Sequence, residues 1–206
     1  WRRRLQQEPD LPFYARFGVF LMVINLIQPL LMRPWIYMHE SITGTLIALA
    51  LVLYRKEKQW PTMVVMGIAM AIRDPAVPVA MIFGIFALWD RNWRAAAIWM
   101  AMGLAFLGGL ALHIQAIEAA RLPTDLSSPG WSSSGGWLSY ISFVYKTSIL
   151  RFAPAWVAAV IVPLALLGWS AWRGRLGHVT LAVQLLFAAF FVALARPDNF
   201  YWAVLI

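Results

Sequence analysis

Apolar runs of helix length alternate with short polar turns along the whole chain. The runs cover residues 17–32, 41–54, 61–72, 75–89, 95–115, 154–172 and 178–195, and an eighth begins near Phe200. A helix that crosses the hydrocarbon of a bilayer needs about 20 residues, with a range of about 17–25. Runs 95–115, 154–172 and 178–195 reach that length, and 17–32 and 41–54 reach it with their flanks. Runs 61–72 and 75–89 are short. They predict either two tilted spans or a hairpin whose tip, Arg73-Asp74, ends inside the bundle, where protein or water must satisfy it. The fold class expected is all-α: a polytopic transmembrane bundle of about seven to eight helices, some of them short. Residues 1–206 form one domain in this reading, an internal piece of a longer chain.

One connection is long. Residues 117–153 contain a stretch dense in Gly, Ser and Pro, from Ser127 to Trp137, that predicts turn or coil. Residues 138–150 then predict a short helix lying in the interface, with Lys146 and Arg151 toward the headgroups.

Composition sharpens the class. The chain is 62% hydrophobic and 13% charged, with a mean hydropathy of +0.69. Soluble domains run at about 45–50% apolar and about 25% charged. The absence of cysteine excludes disulfides, a thiolate nucleophile and Cys-ligated metals. The formal net charge of +8 resides in short loops between apolar runs, so it is a topology signal and not a nucleic-acid patch. Arg2, Arg3, Arg4, Arg16, Arg55, Lys56, Lys58, Arg91, Arg94, Arg173 and Arg175 fall on one side. Arg33, Arg73, Arg121, Lys146, Arg151 and Arg196 fall on the other. The richer side is expected to be cytoplasmic. The outer side then holds Glu40, Asp74, Glu118, Asp125 and Asp198, and tryptophans cluster near both interfaces as anchors.

Charges at membrane depth are costly and mark sites. Arg73-Asp74 reads as an anion site, with a planar guanidinium for phosphate and a carboxylate that orients it or binds a cation. The structural alternative is a neutralised pair capping two helix ends. Glu40 suits a metal or a sugar hydroxyl and His39 an acid/base role. Their alternative is a helix N-terminal carboxylate with Ser41 beside it. Arg196, Asp198 and Asn199 read as phosphate and sugar contacts, or as a helix C-terminal turn. His113, near Gln115 and Glu118, reads as a packed polar residue. Gly84, Gly103, Gly108 and Gly109 predict close helix packing. No phosphate-cradling glycine loop, nucleophile elbow or paired metal histidines occur.

Taken in order, these motifs resemble bacterial membrane glycosyltransferases of the GT-C class. His39-Glu40 with Gly44 is similar to the opening of one of their helices. Arg73-Asp74 with Pro78 resembles their Arg-acid-x-x-x-Pro turn, with Asp where Glu is usual. Gly130-Trp131 to Trp137, then Lys146-Thr147-Ser148, resembles their extracytoplasmic loop, and Arg196-Pro197-Asp198-Asn199-Phe200-Tyr201-Trp202 completes the likeness. The resemblance implies sugar transfer from a polyprenyl-phosphate donor on the extracytoplasmic face of the bacterial inner (cytoplasmic) membrane. It implies phosphate contacts at Arg73, Lys146 and Arg196, and acceptor, metal or structural contacts at His39, Glu40, Asp74, Asp198 and Asn199. The family's general base lies on a segment expected to precede Trp1, so no catalytic residue is assigned. No cofactor is expected, with a divalent cation left open. The partners are the lipid bilayer, the polyprenyl-phosphate-linked sugar and, left open, other membrane subunits; no nucleic acid is among them. The competing class is a non-catalytic integral membrane subunit or scaffold of a larger complex.

Overall fold

Proline or asparagine marks the start of several of the helices. The computed structural model describes residues 38–122, 124–125 and 135–205. Run 17–32 and most of the Ser127 to Trp137 stretch therefore lie outside the described residues. Seven α-helices are described: α1 His39–Leu53, α2 Trp60–Ile72, α3 Ala76–Trp89, α4 Trp93–Ala120, α5 Gly136–Thr147, α6 Ala155–Ser170 and α7 Arg175–Ala193. Two 3-10 segments, Ile149–Phe152 and Pro197–Leu205, complete them. No strand occurs among the described residues, so the fold is all-α.

Pro61 sits in the first turn of α2, where its missing amide hydrogen costs nothing. Pro75 and Pro154 occupy the N-caps of α3 and α6. At α4 the Asn92 side chain accepts a hydrogen bond from the Ala95 amide at 3.2 Å. Helix α5 ends at Thr147, whose hydroxyl donates back to the Phe143 carbonyl at 2.9 Å. Ser148 is extended and its Oγ accepts from the Leu150 amide at 3.2 Å, which starts the 3-10 turn. The expected helix at 138–150 is thus shifted toward the N-terminus. It packs against α6, α7 and the C-terminal 3-10 segment, burying Tyr140, Ile141 and Phe143.

The helices pack mainly α1 on α2 and α3 on α4, with α7 touching α3, α5 and α6. Phe83 is fully buried at the centre, stacked on Trp99 at 5.3 Å and tilted against Tyr54 at 5.4 Å. Gly84 lets α3 approach α4: a Cβ there would lie 3.2 Å from the Trp99 Cβ. At Gly103, Gly108 and Gly109 a Cβ would meet nothing within 4 Å, so the close packing expected there does not occur among the described residues.

Among the described residues two helices, α4 and α7, are long and apolar enough to cross a membrane. Helix α4 has 28 residues and runs past the expected end at 115, so the following connection starts at Arg121. From 107 to 120 every residue of α4 is exposed, although the stretch is mostly apolar. Helices α2 and α3, of 13 and 14 residues, are about 20 Å long at 1.5 Å per residue.

One end of the bundle is locked by a buried carboxylate. Asp90, after α3, has a side chain only 1% exposed. It pairs with Lys56 from the α1–α2 turn at 3.3 Å and with Arg175 at the start of α7. The Arg175 guanidinium also lies over the Phe86 and Trp89 rings. The Trp99 indole donates to Gln59 Oε1 at 2.7 Å, which ties α4 to the same end. The residues singled out from the sequence gather at the opposite end of α1, α2 and α3.

Candidate functional site

Glu40 lies in the first turn of α1, where the positive end of the helix dipole favours a carboxylate. Arg73 is the C-cap of α2 and Asp74 begins the turn into α3. The Arg73 guanidinium meets Glu40 Oε1 at 2.5 Å, with side-chain exposures of 31% and 7%. This corrects the expected partnership within Arg73-Asp74. Arg73 is extended, with φ −149° and ψ 131°. The Arg73 guanidinium reaches α1, while Asp74, in the turn that follows, lines a cavity of about 310 Å³. Asp74 enters no ion pair among the described residues.

The C-terminal 3-10 segment closes over this pair. Trp202 is buried and its ring lies under the Arg73 guanidinium at 5.7 Å. The approach depends on Gly44, four residues after Glu40. A Cβ there would lie 2.5 Å from the Val204 carbonyl oxygen and 3.2 Å from the Leu205 Cα. Lys146, in the last turn of α5, places its ammonium over the Phe200 ring at 5.4 Å. The segment Pro197–Leu205 thus carries Phe200 against Lys146 and Trp202 against Arg73, which joins the two cations through one element.

Arg196 and Asp198 open that segment and pair with each other at 2.6 Å in an exposed position. The hydrogen bond from Arg196 holds the Asp198 carboxyl below its ordinary value, and the same bond raises the Arg196 guanidinium. Asn199 is buried, and its amide donates to the Arg196 carbonyl at 2.9 Å. His39 is exposed beside Glu40. His113 and Glu118 lie in the exposed stretch of α4.

Charge pairing sorts the candidates. Arg73 is held by Glu40 and Arg196 by Asp198. Lys146 and Asp74 enter no ion pair among the described residues, so they are the charges at this end that an incoming ligand meets uncompensated. Among the described residues no three of His, Asp and Glu converge to hold a metal ion. In the sequence Trp202 is legible as an interfacial anchor and as the end of the motif that begins at Arg196, but not as the surface under Arg73, and Asp90 carries no signal of its role as the buried anchor of the other end. No family model, curated protein or solved structure matches the chain.

Proposed function

We propose that the chain belongs to a multi-pass membrane glycosyltransferase that takes a sugar from a polyprenyl-phosphate donor at the extracytoplasmic face of the bacterial inner membrane. The observation that carries this reading is the joining of Glu40, Arg73, Asp74 and Lys146 at one end of the bundle, through Phe200 and Trp202, beside an apolar cavity. Two helices apolar enough to span a bilayer and the exposed apolar half of α4 support a membrane setting.

In this reaction an acceptor hydroxyl oxygen attacks the anomeric carbon. The bond from that carbon to the phosphate oxygen breaks, and its electron pair leaves with the polyprenyl phosphate. The hydroxyl proton passes to a base that none of the described residues is assigned to provide. Negative charge grows on the departing phosphate, and a positioned cation lowers the barrier by meeting it. Lys146 is the residue suited to that role, because its ammonium is not neutralised by a described carboxylate. Arg73 supports the same region from its pair with Glu40.

The test is transfer of radiolabelled sugar from polyprenyl-monophosphate hexose and pentose donors, in membranes containing the full-length protein. Transfer that drops at least tenfold in Lys146→Gln, with unchanged protein level, supports the proposal. Folded protein that transfers from none of these donors removes it. A second reading, a non-catalytic membrane subunit, is favoured by one observation: both arginines of the cluster are already paired internally.

A further inference from the structure

The cavity beside α3 has a composition that the phosphate chemistry does not use. Its described lining contains one charged residue, Asp74, and three aromatic rings, Phe187, Phe190 and Trp202. The remainder is proline and leucine. Phe190 and Trp202 stack at 5.7 Å with 13° between their planes, so one aromatic wall joins α7 to the C-terminal segment. Asp74 has no ion-pair partner among the described residues, and its neighbour Arg73 is neutralised by Glu40. The Glu40, Arg73 and Asp74 group therefore carries one excess negative charge, and that charge sits on the cavity.

A carboxylate beside aromatic faces is the chemistry that holds an ammonium ion on an apolar body, through charge attraction and the negative face of each ring. We propose that this cavity binds an organic ammonium group, with Asp74 as its counter-ion and Phe187 and Phe190 as its aromatic contacts. A volume of about 310 Å³ admits a group the size of a choline or ethanolamine head with part of its chain. The ammonium comes either from a lipid headgroup or from a soluble amine. The site goes beyond the transferase reading, and its test requires no transferase activity, so either can fail alone.

The full-length protein in detergent is titrated with choline and with 3,3-dimethylbutan-1-ol, the uncharged carbon isostere of choline, and binding is read by saturation-transfer NMR. Choline is expected to bind saturably and at least tenfold more tightly than the isostere. Asp74→Asn should erase that preference. Leu194→Trp, which fills the cavity and leaves Asp74 in place, should abolish binding of both. Equal binding of the two probes, or an undiminished choline preference in Asp74→Asn, overturns the proposal. Native mass spectrometry with phosphatidylethanolamine and phosphatidylglycerol separates the sources. Selective retention of the ethanolamine lipid that Asp74→Asn loses assigns the headgroup. Saturable choline binding without such retention assigns a soluble amine.

Discussion

Removing Arg73 should destabilise the fold more than removing its partner. The Glu40 side chain is 7% exposed and that of Arg73 is 31% exposed. Arg73→Ala leaves a nearly buried carboxylate without its cation, and breaking a buried pair in this way costs about 3–5 kcal/mol. The N-terminus of α1 faces Glu40 in both proteins and does not offset this loss, and the partial exposure of Arg73 puts the expectation at the lower end, about 3 kcal/mol. Glu40→Gln leaves the guanidinium behind, but that group reaches water and keeps the Trp202 ring at 5.7 Å. Its loss should be smaller, about 1–2 kcal/mol. The double variant Glu40→Gln/Arg73→Ala removes both charges and should lie close to Glu40→Gln alone. The cycle then yields a coupling of at least about 1 kcal/mol. SDS unfolding of the full chain in mixed micelles measures each value. Single losses that add to within about 0.5 kcal/mol in the double variant would refute the pairing. The same cycle governs how activity is read. An inactive Arg73→Ala protein reports on folding as much as on substrate, whereas a stable but inactive double variant isolates a role at the site.

Three further outcomes are expected. Gly44→Ala must push the Val204 carbonyl away from a Cβ that would lie 2.5 Å from it, and should cost about 1–3 kcal/mol in the same unfolding assay; unchanged stability would mean that the C-terminal segment does not dock on α1. Glu57→Cys and Thr124→Cys should label with impermeant maleimide from opposite sides of the membrane, Glu57→Cys from the cytoplasm; labelling from the same side would overturn the topology. Asp198 should titrate below its ordinary value of 3.8, because the Arg196 bond favours the carboxylate. Its contribution is therefore present above that value and lost as pH falls through the lower folded value. Arg196→Gln should move the NMR midpoint of Asp198 back up, and an unmoved midpoint would show that the clasp is absent in solution.

Much of the helical layout was legible because its ends are written locally. Pro61, Pro75 and Pro154 each mark a helix start, and the apolar run between two such signals has one regular solution. The relations that build the site are not local. Arg73 follows α2 and adjoins Asp74, so sequence proximity suggested their pairing. The guanidinium of the extended Arg73 instead reaches Glu40, a residue of another helix. Gly44 was recognisable as part of a motif, but the reason for glycine there is a carbonyl at Val204, near the far end of the chain. The run after Phe200 looked like the start of a further helix. Instead Pro197–Leu205 forms a 3-10 segment that lays Phe200, Trp202 and Val204 against three different elements.

The two polar ends of α3 use charge differently, and the difference bears on which end meets a ligand. At Asp90 two cations share one buried carboxylate, and the α1–α2 turn and the start of α7 are fixed to α3 by it. The cluster holds these helices in register. At the Glu40 end the pairing is incomplete. Arg73 is paired with Glu40, but Lys146 stands over Phe200 and Asp74 stands at an aromatic cavity, each without an opposite charge among the described residues. They are of opposite sign, Lys146 at the Phe200 ring and Asp74 at the cavity that Trp202 lines. A ligand carrying both an anionic and a cationic group, or two ligands of opposite charge, would find complementary partners there. Lys146→Gln should then impair only the anionic arm and Asp74→Asn only the cationic one.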